Sequence, residues 1–439
     1  MTARADLSPA SSQRGDRTAA GAGPVRPPQR RTGVVWALCC ALAFALTAVA
    51  AAHADSRPGG DAQADTAAAP APGATLLRVG PQRWLKTPSA AAGLAQPGDT
   101  IEIDAGLYLN DYAVWQQDNL TIRGVGGMAH LQSDQLIPNG KAIWIVSGNN
   151  TVIESVEFSG ARVVDTNGAG IRHEGGNLTL RDTYFHHNEF SVLTGPYAEA
   201  SLEVVSSRFY FQKREGTFSH GIYVGGLGRF TVIGSHFKGT DRGHQIKSRA
   251  LENRILYNRI EDTAGGNSSR LVDLPNCGLS YIIGNDMHQA ASTENVDAIG
   301  YGAEGCEQRT AEQHRLFVIN NTFVNEAAGG TLVRDHVRGD VLVANNLLFG
   351  DGDFLRGPGA QDHNVALRLA DRRPGSWAAP ANSQVIDAAR ALAQASGFSL
   401  LPLSEFQPPL GTVARRPQGT LDIGAHEASA TPAAPGATE

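Results

Sequence analysis

The feature that most constrains this chain is a repeat. A short run rich in β-branched and aromatic residues leads through a small polar turn to a single apolar anchor. Two copies read Thr151-Val152-Ile153-Glu154-Ser155-Val156-Glu157-Phe158 and Leu178-Thr179-Leu180-Arg181-Asp182-Thr183-Tyr184-Phe185. Further copies end at Phe209, Phe237, Ile260, Met287, Phe323 and Leu348, so successive anchors stand 27, 24, 28, 23, 27, 36 and 25 residues apart. One such unit cannot bury its own apolar face, so units of this period must stack and share a core. Val, Ile and Phe then line up inside in columns while polar residues alternate outward. The expected fold class is all-β, a parallel solenoid of about ten to eleven coils. A content of 50 Gly, with 18% charged and 7% aromatic residues, suits a chain of strands and turns.

Both ends of the repeat carry a resemblance. Gly98-Asp99-Thr100-Ile101-Glu102-Ile103, followed by Ala105-Gly106-Leu107-Tyr108, resembles the first coil of right-handed parallel β-helix proteins of the pectin-lyase-like superfamily. Leu421-Asp422-Ile423-Gly424-Ala425-His426-Glu427 resembles the terminal signature of the same superfamily. The resemblance spans residues 76–427. It implies a right-handed β-helix, a short capping helix over Ser89–Leu94 and a groove that handles polysaccharide, and it leaves the substrate open.

The N-terminus is a different kind of sequence. Residues 1–31 are polar and Arg-rich, Gly33 to Ala51 is almost wholly apolar, and Ala52-His53-Ala54 has the small–x–small pattern of a signal peptidase site. Residues 1–54 are expected to be a signal peptide, the alternative being a retained membrane anchor. Residues 55–75 read as a disordered Ala/Pro linker, and residues 428–439 as a disordered tail. A periplasmic or secreted location follows, with no membrane association after cleavage. The first 54 residues hold six Arg and two Asp, so the whole-chain charge of −6 becomes −10 downstream. Bulk charge therefore excludes nucleic acid as a partner, and a polyanionic ligand needs a local basic groove. Cys277 and Cys306 are the cysteines that survive cleavage, and an oxidising compartment permits them to pair. The long coil between Met287 and Phe323 is expected to put a loop near Cys306 beside the groove. Neither a CxxC nor a Cys/His metal motif is present.

Chemistry-bearing residues concentrate between 219 and 304: Ser219-His220-Gly221-Ile222-Tyr223, His244-Gln245-Ile246-Lys247-Ser248-Arg249, Arg270-Leu271-Val272-Asp273-Leu274-Pro275-Asn276 and Glu294-Asn295-Val296-Asp297. Counted from their anchors, Lys247, Arg270 and Asp297 each lie ten residues on and His220 eleven. That count predicts one outward column holding all four, with Tyr223, His244 and Arg249 beside it. Polar ladders that serve only solubility use Asn, Asp, Ser and Thr; this group has Lys, Arg, two His and a Tyr in an otherwise acidic chain.

Ile246-Lys247-Ser248, Asn253, Tyr257-Asn258-Arg259-Ile260 and Arg270 are together similar to the chondroitinase B and alginate lyase family of β-helix polysaccharide lyases. The resemblance implies Lys247 as general base and Arg270 as assisting acid. That family holds calcium with acids just before the lysine. Here Asp241-Arg242-Gly243-His244-Gln245 has a single acid, so no cofactor is expected and calcium is not favoured. His220, His244 or Arg249 would then clamp the substrate carboxylate.

Elimination from a 4-linked uronate removes H5, a weakly acidic C–H beside a carboxylate, so it needs a base and a positive clamp. A Lys crowded by cations is suited to the base role. The resulting expectation is an exported lyase, or a C5-epimerase of the same chemistry, acting on an acidic polysaccharide. Lys247, Arg270, His220, His244 and Tyr223 are catalytic in this reading, and Arg249, Asp273, Asn276, Glu294 and Asp297 bind substrate. A non-catalytic carbohydrate-binding or exopolysaccharide-assembly protein is the first alternative. A glycoside hydrolase is the second, though no adjacent Asp–Asp pair supports it.

Overall fold

The structure is a computed structural model that describes residues 75–428, apart from 214, 215, 217 and 382. The proposed signal, nearly all of the linker and nearly all of the tail lie outside the described residues.

Each coil contributes three short strands. A typical coil runs Arg229–Ile233, His236–Lys238 and His244–Ser248, and the next runs Glu252–Leu256, Arg259–Glu261 and Val272–Leu274. Every strand pairs in parallel with its counterpart one coil away, giving a 21-stranded sheet from the first two positions and a ten-stranded sheet from the third. The result is an all-β parallel solenoid of about eleven turns. Among the described residues helix is nearly absent. The five-residue helix Pro88–Ala92 takes the start of the expected cap: Thr87 Oγ1 accepts from the Ala90 N–H, and Ala91 and Ala92 are buried in the first coils.

The anchors read from the repeat fall in one column. Phe158, Phe185, Phe209, Phe237, Ile260, Met287, Phe323 and Leu348 are successive register partners. The four leading rings stack nearly parallel with centroids 5.0, 5.2 and 4.6 Å apart, which is the coil rise itself. Full burial of each is worth about 1.5–3 kcal/mol.

Beside the anchors runs a ladder of buried carboxamides. Asn258, Asn285, Asn321 and Asn346 each donate through Nδ2 to Oδ1 of the next, at 2.9–3.0 Å, the ladder ending at Asn364, and all five donate to a backbone carbonyl. Asn258 is thus structural, and so is Asn253, which is buried between Ser248 and Ser280. The ladder follows a turn whose first residue is left-handed, as at Ser206, Gly234, Tyr257, Gly284, Asn320 and Asn345. The carboxamides satisfy the backbone groups that this turn would otherwise bury unpaired.

The coils end with the strand Val365–Leu367, earlier than the repeat reading placed them. Residues 368–427 return along the outside of the solenoid as a strap, carrying two small antiparallel pairs. The Gly411 N–H reaches the Gly234 carbonyl, and the Leu403 N–H reaches the Tyr257 hydroxyl. The terminal Asp-Ile-Gly-Ala-His-Glu motif is its lock. His426 sets Nε2 2.6 Å from Asp286 and Nδ1 3.1 Å from Glu405, while Arg415 is buried against Glu427 and the carbonyls of Asp422 and Gly424.

Candidate active site

The ten-stranded sheet carries the cluster. Ile222, Ile246, Val272, Ile299 and Val333 point from its strands into the core. The residue after each faces outward, so Tyr223, Lys247, Asp273, Gly300 and Arg334 form one register column.

This register corrects the column counted from the anchors. The partner of Lys247 is Asp273, not Arg270. Extending the pairing of Ile246, Val272 and Ile299 by two residues sets Arg270 between His244 and Asp297, in a column with His220. Counting failed for Lys247 because the turn from anchor to strand is not constant. It takes seven residues from Phe237 to His244 and eleven from Phe209 to His220, its register partner.

The side chains nevertheless converge, and Asp273 is where they meet. It is 3% exposed and receives Lys247 Nζ at 3.1 Å, Arg270 Nη1 at 3.1 Å and His244 Nε2 at 3.4 Å. The guanidinium of Arg270 lies across Gly300, where a Cβ would come within 2.8 Å of Nε. Two imidazoles stack beside this group, His220 on His244, with centroids 5.1 Å apart. Nδ1 of His220 accepts the His244 backbone N–H at 3.0 Å, and Nδ1 of His244 accepts that of Arg270 at 3.1 Å. These bonds fix the tautomer of His244 and turn its Nε2–H toward Asp273. Burial, with the charges of Lys247 and Arg270, lowers the His244 pKa to about 3, so the ring is neutral.

A second carboxylate completes the arrangement. Glu304 stands on the loop tied by the Cys277–Cys306 disulfide, whose Cα atoms are 5.7 Å apart. Its Oε1 lies 3.2 Å from Lys247 Nζ and its Oε2 2.7 Å from Arg249 Nη1. Hydrogen bonding from Arg249 holds the Glu304 carboxyl below its usual range. Arg249 also donates to the Tyr223 hydroxyl at 3.0 Å and to Asn276 Oδ1, and Asn276 is held in turn by the Gly305 carbonyl at 3.1 Å. The Lys247 ammonium therefore sits between two carboxylates, rather than crowded by cations as its sequence neighbours suggested.

The other sequence-derived residues lie at the margins. Asp297 has a buried Oδ1 without a hydrogen-bond partner among the described residues, while exposed Glu294 pairs with Arg242 at 3.3 Å, away from Asp273. Sequence reasoning missed Glu304, Arg334 and His336. Burial and then the charges of Arg270 and Arg334 hold the His336 pKa below its ordinary value. Taking the residue after each core-facing strand position would have found Arg334, and the loop expected near Cys306 is the one that carries Glu304. A calcium ion fits this set poorly. Asp273 and Glu304 are already matched to Lys247, Arg249, Arg270 and His244, and Asp241 Oδ1 is taken by Asn267 at 3.0 Å.

A parallel solenoid of this topology is a right-handed β-helix, a fold also described as pectin lyase-like. The chain belongs to the right-handed β-helix family: the model for the right handed beta helix region matches residues 105–348. No curated protein matches the chain in sequence. Among solved structures it resembles pectate lyase Pel9A, with 14% identity, a TM-score of 0.50, and 81% of this chain and 98% of that one covered. An alginate lyase from Paenibacillus sp. str. FPU-7 aligns with 14% identity and a TM-score of 0.45, over 63% of this chain and 95% of that one. A tailspike protein from Acinetobacter baumannii bacteriophage Fri1, a capsular polysaccharide depolymerase, aligns with 14% identity and a TM-score of 0.29, over 66% and 57%. The likeness to pectate lyase Pel9A is one of fold.

Proposed function

We propose that this protein is an exported polysaccharide lyase that cleaves an acidic, uronate-containing glycan by β-elimination in the groove around Lys247. The observation that carries this reading is the seat of Glu304, a carboxylate clasped by Lys247 and Arg249 beside Tyr223 and Asn276. A groove that clasps one carboxylate has the charge and donors to clasp another, the uronate of a substrate. Glu304 is 48% exposed and loop-borne, so it is the partner that can leave, whereas Asp273 is buried and stays.

In this reading the uronate carboxylate replaces Glu304 against Arg249, which stabilises the charge that develops as C5 loses its proton. Lys247, released from Glu304, gives up one proton to solvent and accepts the C5 proton. The Tyr223 hydroxyl, held by Arg249, protonates the leaving oxygen. Arg270 and His244 position Lys247 through Asp273.

The test is to incubate purified protein with a panel of uronate glycans and follow the ultraviolet absorbance of the new C4–C5 double bond. Growth of that band is the expected result. New reducing ends without the band would establish hydrolysis instead, and binding with neither would establish a carbohydrate-binding or assembly role.

A further inference from the structure

We propose that His130, Glu157 and His186 form a binding site for one divalent transition-metal ion, on a different sheet from the Lys247 groove and independent of the lyase reading. His130 and Glu157 are register partners on consecutive coils, and His186 lies one coil further on, opposite Ser159. His186 Nε2 is 2.8 Å and His130 Nε2 is 3.6 Å from the same Glu157 Oε1, and one donor atom from each residue falls within 4.8 Å of the other two. Three ligands at about 2.0–2.2 Å from one ion stand roughly 3.0–3.5 Å apart, so modest side-chain adjustment on a fixed backbone closes the set.

The donor chemistry selects the ion. Two imidazoles and a carboxylate suit zinc and its first-row neighbours, whereas calcium and magnesium require oxygen ligands. The three side chains are 25%, 21% and 18% exposed, enough for an ion to enter and for water to complete its coordination. One ligand has an outer partner in place as well. His186 Nδ1 lies 2.8 Å from His187 Nδ1, while Ser159 Oγ, 2.7 Å from His130 Nε2, occupies the donor atom itself and turns aside when an ion binds. A neighbour on the second ring nitrogen, as His187 is for His186, orients a ligating imidazole. Two other His–carboxylate pairs have a cation alongside: Lys238 is 3.9 Å from Glu261, the partner of His236, and Arg259 is 2.8 Å from Asp286, the partner of His426. At the proposed site Arg208 lies over the Tyr184 ring, 4.8 Å from its centroid, and its charge still acts on Glu157 without an ion pair between them. The sequence hides the site because its members are 27 and 29 residues apart on three coils.

The experiment uses tag-free protein stripped with a chelator and titrated calorimetrically with zinc chloride, with cobalt(II) absorption as a second readout. The expected result is one equivalent bound with a dissociation constant of about 1 μM or below. His130→Ala and His186→Ala should each weaken binding at least about 100-fold, while His236→Ala should not change it. Circular dichroism and the melting temperature verify that each variant is folded. Absence of saturable one-to-one binding by the unaltered protein would overturn the proposal, and so would undiminished binding by both folded His variants.

Discussion

Lys247 and Asp273 are register partners on consecutive coils, and the ammonium lies 3.1 Å from a carboxylate that is almost wholly buried. That carboxylate also receives Arg270 and His244. Removing it would leave the poorly solvated Arg270 unmatched and Lys247 with Glu304 alone. Asp273→Ala is therefore expected to cost about 3 kcal/mol, in the range for breaking a buried pair from one side. Asp273→Asn, which still accepts hydrogen bonds, should cost less. Urea unfolding followed by circular dichroism measures both, and equal stability of Asp273→Ala and the parent would contradict the role given to this residue.

The lyase reading makes a sharp demand on Lys247. Lys247→Ala should lower turnover on the uronate substrate by about 10²–10⁴-fold with the fold intact, the usual effect of losing a positioned general base. Lys247→Arg should not restore it, because a guanidinium stays protonated and cannot take the C5 proton. Initial rates from the double-bond absorbance decide this. An arginine variant with normal rates would leave only a clamping role.

Glu304 and the substrate carboxylate compete for one seat in the proposed mechanism. Glu304→Gln removes the competing charge and should tighten binding of a uronate oligosaccharide by about tenfold, equivalent to about 1.4 kcal/mol. Isothermal titration gives the constant directly. Weaker binding by the variant would mean that Glu304 helps to hold the ligand rather than standing in for it.

The disulfide closes a loop with a sequence separation of 29 residues and carries Glu304 on it. Chain-entropy arithmetic, one of several accounts of such bonds, gives a contribution of about 3–4 kcal/mol. Replacing Cys277 and Cys306 by Ser should lower stability by up to that amount. It should also loosen Glu304, so that uronate affinity rises in the direction of the Glu304→Gln effect. Comparing melting temperature and affinity for the double variant separates the two consequences.

His426 makes the strap sensitive to alkaline pH. Burial alone would lower its pKa, but Asp286 and Glu405 outweigh that and push it up to about 9. A folded-state value above the unfolded value of about 6.5 stabilises fully below pH 6.5 and loses that contribution as pH rises through about 9. Melting temperatures between pH 6 and 10 should therefore converge for the parent and His426→Gln toward the alkaline end. A gap that stays constant across the range would show that the ion pairs with Asp286 and Glu405 are not what holds the strap.

The solenoid was legible because its cause is local and repeated. Each anchor from Phe158 to Leu348 must be buried, and the spacing between anchors is the length of a coil. The Asn residues two before the anchors at Ile260, Met287, Phe323 and Leu348 read as turn residues, and only stacking reveals that they bond one another. The neighbourhood of the candidate site was legible too, since Lys247, Arg249, Arg270 and Asp273 meet there.

The sequence by itself determined the period, the core column and the band of coils that carries the chemistry, since hydrophobic burial acts on every repeat alike. Tertiary structure alone decided which side chains face each other. Turns between anchor and strand vary by several residues, so the count that paired Lys247 with Arg270 slipped, and backbone hydrogen bonding set Lys247 against Asp273 instead. It also brought Glu304 in from a loop 57 residues away and gathered His130, Glu157 and His186 from three coils. Stacking at about 4.8 Å converts separations of twenty-odd residues into contact distance, and no local pattern in the chain records that conversion.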